Sequence, residues 1–213
     1  MSNKHPISRA TGLAKRSFDL AFTTLGLLAC LPLFPLIALA IKMDSPGPVF
    51  FKQLRVGRAH HDRTELFEMI KFRSMRTDAE AVTGAVWAQK QDPRVTRVGA
   101  FLRRSRLDEL PQFINVLRGE MSLIGPRPER PGFYKKLEDA IPFFNERTYG
   151  VTPGITGLAQ VNQGYDTCID DVRSKLGFDL RYALALSSIR SWLAMDSMII
   201  ARTVSSMVMG RGQ

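Results

Sequence analysis

From Ser17 to Ile41 almost every position is apolar, and Asp19 is the only charge. As one straight helix this stretch would measure about 37 Å, longer than a ~30 Å hydrocarbon core. Pro32 and Pro35 lie inside it and interrupt the backbone hydrogen-bond ladder. The pattern therefore predicts a helix, a break and a second helix. Beyond it, Val49 to Val56 and Leu66 to Phe72 are short runs rich in β-branched and aromatic residues, which predict two strands joined by the polar loop Gly57 to Glu65. Val98 to Arg104 predicts a helix. Next, Leu107, Leu110, Phe113, Ile114 and Leu117 recur at spacings of three and four, the period of one helix face. Pro111 fits only a first turn, so this helix is expected to start at Asp108 and to end at Gly119 in a left-handed cap. Gly132 to Tyr149 reads as helical with an interruption at Pro142. Leu184 to Val208 reads either as an amphipathic interfacial helix, with Arg190 and Arg202 toward headgroups, or as a buried core helix. Met1 to Gly12 is a polar, basic tail, and Thr77 to Lys90 is irregular with Trp87 as an anchor.

Charge changes how the apolar stretch is read. Lys15 and Arg16 precede it, and Lys42, Lys52, Arg55 and Arg58 follow it. Cationic flanks stay in the cytoplasm, so both ends are expected on one side, as in a hairpin that enters the membrane and returns. A single span and a secretory signal ending near Ala38-Leu39-Ala40 are the alternatives; the apolar region is long for a signal and is broken by prolines. The formal charge of +10 over 213 residues and a pI near 10.1 favour an anionic partner. Nucleic acid is disfavoured, because the chain lacks zinc-ligand spacing and an aromatic RNA-binding signature. Two cysteines, Cys30 and Cys168, do not suggest a disulfide framework. His60, His61 and Asp62 are read as a polar loop rather than as a metal site, since adjacent histidines rarely ligate together.

The candidate chemistry lies between Phe101 and Glu129. Asp108 and Glu109 sit side by side at the expected helix start, where the positive end of the helix favours their ionised form. From Lys90 to Lys136 eleven Lys and Arg face five Asp and Glu. Arg103, Arg104 and Arg106 come just before the carboxylates, and Arg127 is held between Pro126 and Pro128. A carboxylate nucleophile, a second carboxylate for metal or proton, and several arginines suit phosphoryl transfer. The plain alternative is a surface helix with a capping Asp and scattered basic residues. Pro153 to Gly157, PGITG, is dense in Gly and Pro, as expected where backbone approaches a ligand closely. Asp170 and Asp171 are read as helix-cap residues.

The segment SRLDELPQFINVLRGEMSLIGPRPE closely resembles the core of the bacterial sugar transferases, the monotopic polyprenyl-phosphate phosphoglycosyl transferases. KRSFDL, GPVFFKQLRVG, the KFRSM of Lys71 to Met75, DPRVTRVGAFLRR and PGITGLAQVN agree in order, covering nearly all of the chain from Lys15. The resemblance implies an α/β fold, mostly helical with a small sheet: a monotopic membrane protein with a re-entrant helix–break–helix and interfacial amphipathic helices. It divides the chain into a basic tail (1–14), a re-entrant membrane helix (15–43) and a cytoplasmic catalytic domain (44–213). It implies transfer of a sugar-1-phosphate from a UDP-sugar to undecaprenyl phosphate on the cytoplasmic face of a bacterial inner membrane. The products would be undecaprenyl-diphosphate-sugar and UMP, in surface polysaccharide or glycoconjugate synthesis. Asp108 would be the nucleophile and Glu109 the Mg²⁺ ligand. Lys71, Arg103, Arg127, Pro153, Gly154 and Gly157 would meet substrate, Asp179 would support the site, and Pro32 would form the membrane break. Two positions depart from the family: Leu31 stands where Ser is frequent before the break, and Thr152 where Arg is frequent before PGITG. A rival of another class is a catalytically silent basic membrane adaptor. The sugar and the oligomeric state stay open.

Overall fold

The apolar N-terminal stretch forms two helices. In the computed structural model, which describes residues 7–79, 92–163 and 168–209, α1 runs Arg9–Cys30 and α2 Leu33–Asp44, bent by 60° at the break. Pro32 caps α2, whereas Pro35 sits in its first turn, where its missing N–H would have had no intrahelical partner. The break is therefore made at Leu31-Pro32, not shared with Pro35. Neither helix alone is long and apolar enough to cross a membrane; the bent pair passes that test together. Ser8 caps α1, so the helix begins inside the stretch assigned to the tail. Trp87 lies outside the described residues.

α1 is polar on its inner face. Thr11, Lys15, Asp19 and Thr23, spaced by four, are its buried residues, while Leu13, Phe22, Leu25 and Leu28 are exposed. This inverts the usual amphipathic pattern of a surface helix in water, whose apolar stripe faces the core.

After α2, β1 (Phe50–Ala59) and β2 (Thr64–Phe72) form an antiparallel hairpin, longer than the two predicted strands, with Phe51 opposite Lys71. The turn between them holds His60, His61 and Asp62, and His60 Nε2 lies 2.7 Å from Glu65 Oε1. α3 is Arg97–Arg104, capped by Thr96. A 3-10 turn, Leu107–Glu109, precedes α4, Gln112–Arg118. The dyad therefore does not occupy the helix start: Pro111 is the N-cap, and seven residues follow it. Gly119 closes α4 at φ 84° as expected. β3 (Ser122–Ile124) pairs in parallel with β4 (Gly154–Thr156), a second two-stranded sheet. Between them lie α5 (Pro131–Ala140) and a 3-10 turn, Phe144–Thr148, interrupted near Pro142 as predicted. α6 is Leu158–Asn162, α7 Ile169–Ala185 and α8 Ile189–Val208. The mostly helical α/β class holds, with its strands divided into two ribbons. The cysteines are free, and Asp171 caps α7 by accepting from the Cys168 amide at 3.2 Å.

The predicted apolar face of α4 divides its work. Its buried side is Gln112, Asn115 and Val116. Phe113 instead faces Gly26 of α1, where an added Cβ would stand 3.0 Å from its ring. Leu107 and Leu110 pack with Ile37, Ile41, Phe72 and Leu102, which ties α2 to β2 and α3. The guanidinium of Arg16 donates to the carbonyls of Val116 (2.6 Å) and Leu117 (2.9 Å), so α1 satisfies the C-terminus of α4. α8 buries Trp192, Asp196 and Ile199 yet exposes Ile189, Leu193, Ile200, Val204 and Met207, so it is both a core helix and an apolar surface. Arg202 bonds Asn162 rather than standing clear of the domain.

Candidate active site

The carboxylate pair is held by strand, turn and helix together. Arg106 adopts φ 59°, the left-handed region, which costs a non-glycine residue about 1–2 kcal/mol. That residue reverses the chain between α3 and the 3-10 turn, and both following carboxylates are buried. Asn115 then locks the neighbouring helix to β2: its Nδ2 donates to the Glu68 carbonyl (2.7 Å), and its Oδ1 accepts from the Ile70 amide (3.0 Å). Lys71 is the next residue of that strand, and its ammonium donates to Glu109 Oε1 at 3.0 Å.

The two carboxylates differ. Glu109 Oε1 also lies 3.9 Å from Arg106 and 3.8 Å from Arg127. Burial alone would raise its pKa, but Lys71, Arg127 and Arg106 outweigh it and hold the group well below the usual carboxylate range. Asp108, equally buried, makes no hydrogen bond or ion pair among the described residues. Burial and the adjacent Glu109 push its pKa up, against Lys71, Arg103 and Arg106. Burial also lowers the Lys71 pKa, opposed by Glu109.

Both carboxylates open onto a cavity of about 530 Å³ lined by nine Lys and Arg side chains and three carboxylates. Lys71, Arg103, Arg106 and Arg127 are among them, as are Arg55, Arg73 and Arg130, which the sequence reading did not assign to the site. Burial, then Arg127, depresses the Arg55 pKa to about 9. For a hard divalent cation the donor set is suitable: two adjacent carboxylates, completed by phosphate oxygens of a substrate, match what Mg²⁺ takes. Among the described residues no group of three or more His, Cys, Asp or Glu forms a metal cage.

Pro153, Gly154, Gly157 and Asp179 do not line this cavity. The close approach made by PGITG is to backbone, which differs from the expected contact with a ligand. A Cβ on Gly154 would lie 2.0 Å from the Gly125 amide nitrogen, and one on Gly157 2.1 Å from the Gly125 carbonyl oxygen. The turn thus holds the segment that leads into Arg127. Asp179 lies one layer behind as well. Its Oδ2 accepts from Arg147 Nε at 2.8 Å, and Arg147 Nη2 donates to the Arg127 carbonyl at 2.7 Å. Arg147 was missed in the sequence, where only its place in a charged helical run was visible. Thr152, where the family often has Arg, accepts from Arg58.

A family model described as bacterial sugar transferase matches residues 10–210. The chain belongs to the bacterial sugar transferase family. It is 43% identical over 198 residues to a UDP-N-acetylgalactosamine-undecaprenyl-phosphate N-acetylgalactosaminephosphotransferase of Aeromonas hydrophila, covering 93% of this chain and 44% of that one. It is 42% identical over 191 residues to a UDP-glucose:undecaprenyl-phosphate glucose-1-phosphate transferase of Escherichia coli K12, covering 88% and 38%. It is also 41% identical over 204 residues to the exopolysaccharide production protein PSS of Rhizobium leguminosarum bv. phaseoli, covering 93% and 97%. The chain thus spans less than half the length of the first two relatives and nearly all of the third.

Proposed function

We propose that this bacterial sugar transferase moves a sugar-1-phosphate from a UDP-sugar to undecaprenyl phosphate through a covalent intermediate on Asp108. The observation that carries the reading is the asymmetry of the pair: Glu109 is clasped by Lys71, whereas Asp108 is buried, without a partner among the described residues, and open to a cationic cavity. An oxygen of Asp108 attacks the phosphorus that bears the sugar, and the bond to UMP breaks with its electron pair leaving on UMP. The lipid phosphate then attacks the same phosphorus and releases the Asp108 carboxylate. Neither step needs a net proton transfer. The charge on the non-bridging oxygens is met by Lys71, Arg103 and Arg127. Mg²⁺, held by Glu109 and substrate oxygens, would neutralise further phosphate charge.

In this reading the protein sits on the cytoplasmic face of the inner membrane. The inward polar stripe of α1, the outward apolar faces of α1, α2 and α8, and the 60° bend support a re-entrant insertion. In that arrangement both termini label from the cytoplasm only; periplasmic labelling of Ser2 would show a span instead.

The test of function is UMP release in detergent. With UDP-N-acetylgalactosamine or UDP-glucose and no lipid, the enzyme should release up to about one equivalent of UMP and gain a sugar-phosphate mass on Asp108. Added undecaprenyl phosphate should turn this into steady turnover that chelation of Mg²⁺ abolishes. A strictly sequential rate law, with no exchange of labelled UMP into UDP-sugar, would remove the covalent step. No UMP under any condition would leave the silent adaptor.

A further inference from the structure

Two chemistries are laid out along one strand of the cavity. Phe51, Gln53 and Arg55 of β1 all line it, and alternate residues of a strand share a face. At one end, Arg55 donates to the Pro128 carbonyl at 3.0 Å, next to Arg127 in the chain. At the other end, Phe51 stands directly across the ladder from Lys71, whose ammonium holds Glu109. Such cross-strand neighbours are about 5 Å apart at Cβ, so Phe51 is one side chain away from the carboxylate pair.

The Phe51 end is also the end that leads out to α2. Pro48 and Phe50 line the same cavity. The Phe50 ring stacks on Phe72 at 5.4 Å, and Phe72 meets Phe34 of α2 at 5.0 Å. Phe50 and Phe51 are 43% and 42% exposed, and α2 leaves Leu36, Leu39 and Met43 exposed as well. Uncovered apolar surface thus occurs on the apolar helix and again at the mouth of a cavity whose other lining is cationic. A molecule with a phosphate head and an apolar tail matches that order. A uracil ring matches it less well, since Phe50, Phe51 and Pro48 offer its edge no side-chain hydrogen bond and the Gln53 side-chain oxygen already accepts from Arg55.

We infer that Phe51, backed by Phe50, is the subsite for the first isoprenoid units of the lipid phosphate acceptor, guiding its phosphate to Asp108. This rests on the transferase reading above and adds to it the place where the second substrate enters. Neither aromatic residue acts on the reacting atoms; they position the acceptor.

Full-length Phe51→Ser and Phe51→Leu, purified in detergent, separate the two half-reactions. Exchange of labelled UMP into UDP-N-acetylgalactosamine or UDP-glucose reads the donor side without any lipid. Turnover with farnesyl phosphate and with undecaprenyl phosphate reads the acceptor side. Phe51→Ser should raise KM for both acceptors about tenfold, the scale of one or two lost methylene-sized contacts. Donor exchange should change less than about twofold, and Phe51→Leu should recover most of the loss. An unchanged acceptor KM would overturn the inference; so would an equal rise in donor KM, which would give the wall to the nucleotide. A wild-type protein with neither exchange nor turnover would remove the transferase reading itself, and the subsite with it. If Phe51→Ser fails to fold, a farnesyl phosphate carrying a photoreactive group in its first isoprene unit can be crosslinked to the wild type. Label on β1 supports the subsite, and label confined to other elements overturns it.

Discussion

Two groups of buried charge in this molecule use the same ingredients for opposite ends. Beneath α1, Lys15 Nζ lies 3.2 Å from Asp196 Oδ2 and 4.0 Å from Asp19 Oδ1. Trp192 Nε1 donates to the same Asp196 oxygen at 2.6 Å, and the Leu123 amide to Asp19 at 3.1 Å. Among the described residues of this face, Asp196 Oδ1 and the Thr23 hydroxyl are buried without a partner. At the carboxylate pair the balance is reversed. Lys71 and Glu109 are joined, Asp108 has no partner among the described residues, and the surplus of cations faces a cavity. Burying a charge costs several kcal/mol unless pairing offsets it. The first group is offset within the fold and fastens α1; the second is only partly offset, and an anionic substrate would complete it.

The sharpest way to break that contrast is to neutralise the unpaired carboxylate. Asp108→Asn keeps shape and removes the proposed nucleophile, so turnover should fall by about 10³-fold or more and the covalent adduct should vanish. Thermal stability should hold or rise, because an unpaired buried carboxylate is removed. Glu109→Gln should do the reverse in stability, since it leaves Lys71 buried without its anion. An Asp108→Asn enzyme that still turns over well, or an adduct on Glu109, would exchange the two roles.

The structural group predicts the opposite signature. Lys15→Met leaves Asp196 and Asp19 buried without their cation, which should cost about 3–5 kcal/mol of stability. Turnover per folded molecule should change little, and Lys15→Met combined with Asp196→Asn should recover part of the loss. Denaturation in detergent alongside activity normalised to folded protein measures both. A large drop in turnover with unchanged stability would move Lys15 into the site.

The sequence made the ends of this contrast legible to different degrees. Apolar runs and prolines marked the break at Pro32 and the strands of the hairpin, because local period and punctuation decide them. The family motif pointed to Asp108, Glu109, Lys71, Arg103 and Arg127, and all five meet at one cavity. α7 was not predicted, although Asp170 and Asp171 were read as cap residues. Its buried positions, Val172, Asp179, Tyr182 and Ala185, mix polar with apolar and blur the period. The inward face of α1 was hidden for a related reason: its buried polar residues look like interruptions until the distant partners of two of them, Asp196 for Lys15 and Leu123 for Asp19, are known. PGITG was read as a ligand loop because glycine reports close approach without saying to what; here it approaches Gly125. Arg147 carried no local signal, since its partners Asp179 and Arg127 lie far off in the chain.

Arg147 sharpens the contrast from between the two groups, being closed like the first and serving the second. Its Nε, Nη2 and Nη1 reach Asp179, the Arg127 carbonyl and, at 3.5 Å, Glu129. Lysine keeps the charge but cannot span three directions at once. Arg147→Lys should therefore lower turnover about tenfold through misplacement of Arg127, with KM for the UDP-sugar rising. A loss of stability with KM unchanged would make Arg147 a fold residue alone.

The smallest effect is a displacement along the pH axis. In the proposed mechanism the reactive form of Asp108 is the carboxylate, so turnover should be lost as pH falls through its pKa. Burial and Glu109 set that pKa above the ordinary aspartate value, so the acid limb should lie at higher pH than a solvent-exposed aspartate would give. Lys71 is the largest influence pulling it down. Removing that cation in Lys71→Met leaves burial less opposed, and the limb should move to still higher pH. Glu109 loses its nearest cation at the same time, so the pair should titrate together rather than as two separate groups. Added salt should move the limb little, because the charges involved are buried and poorly screened. The measurement is kcat against pH with UDP-sugar and lipid phosphate saturating, in wild type and Lys71→Met. A limb that stays put or moves to lower pH would mean that Lys71 does not govern the charge on Asp108, and the asymmetry of the pair would need another source.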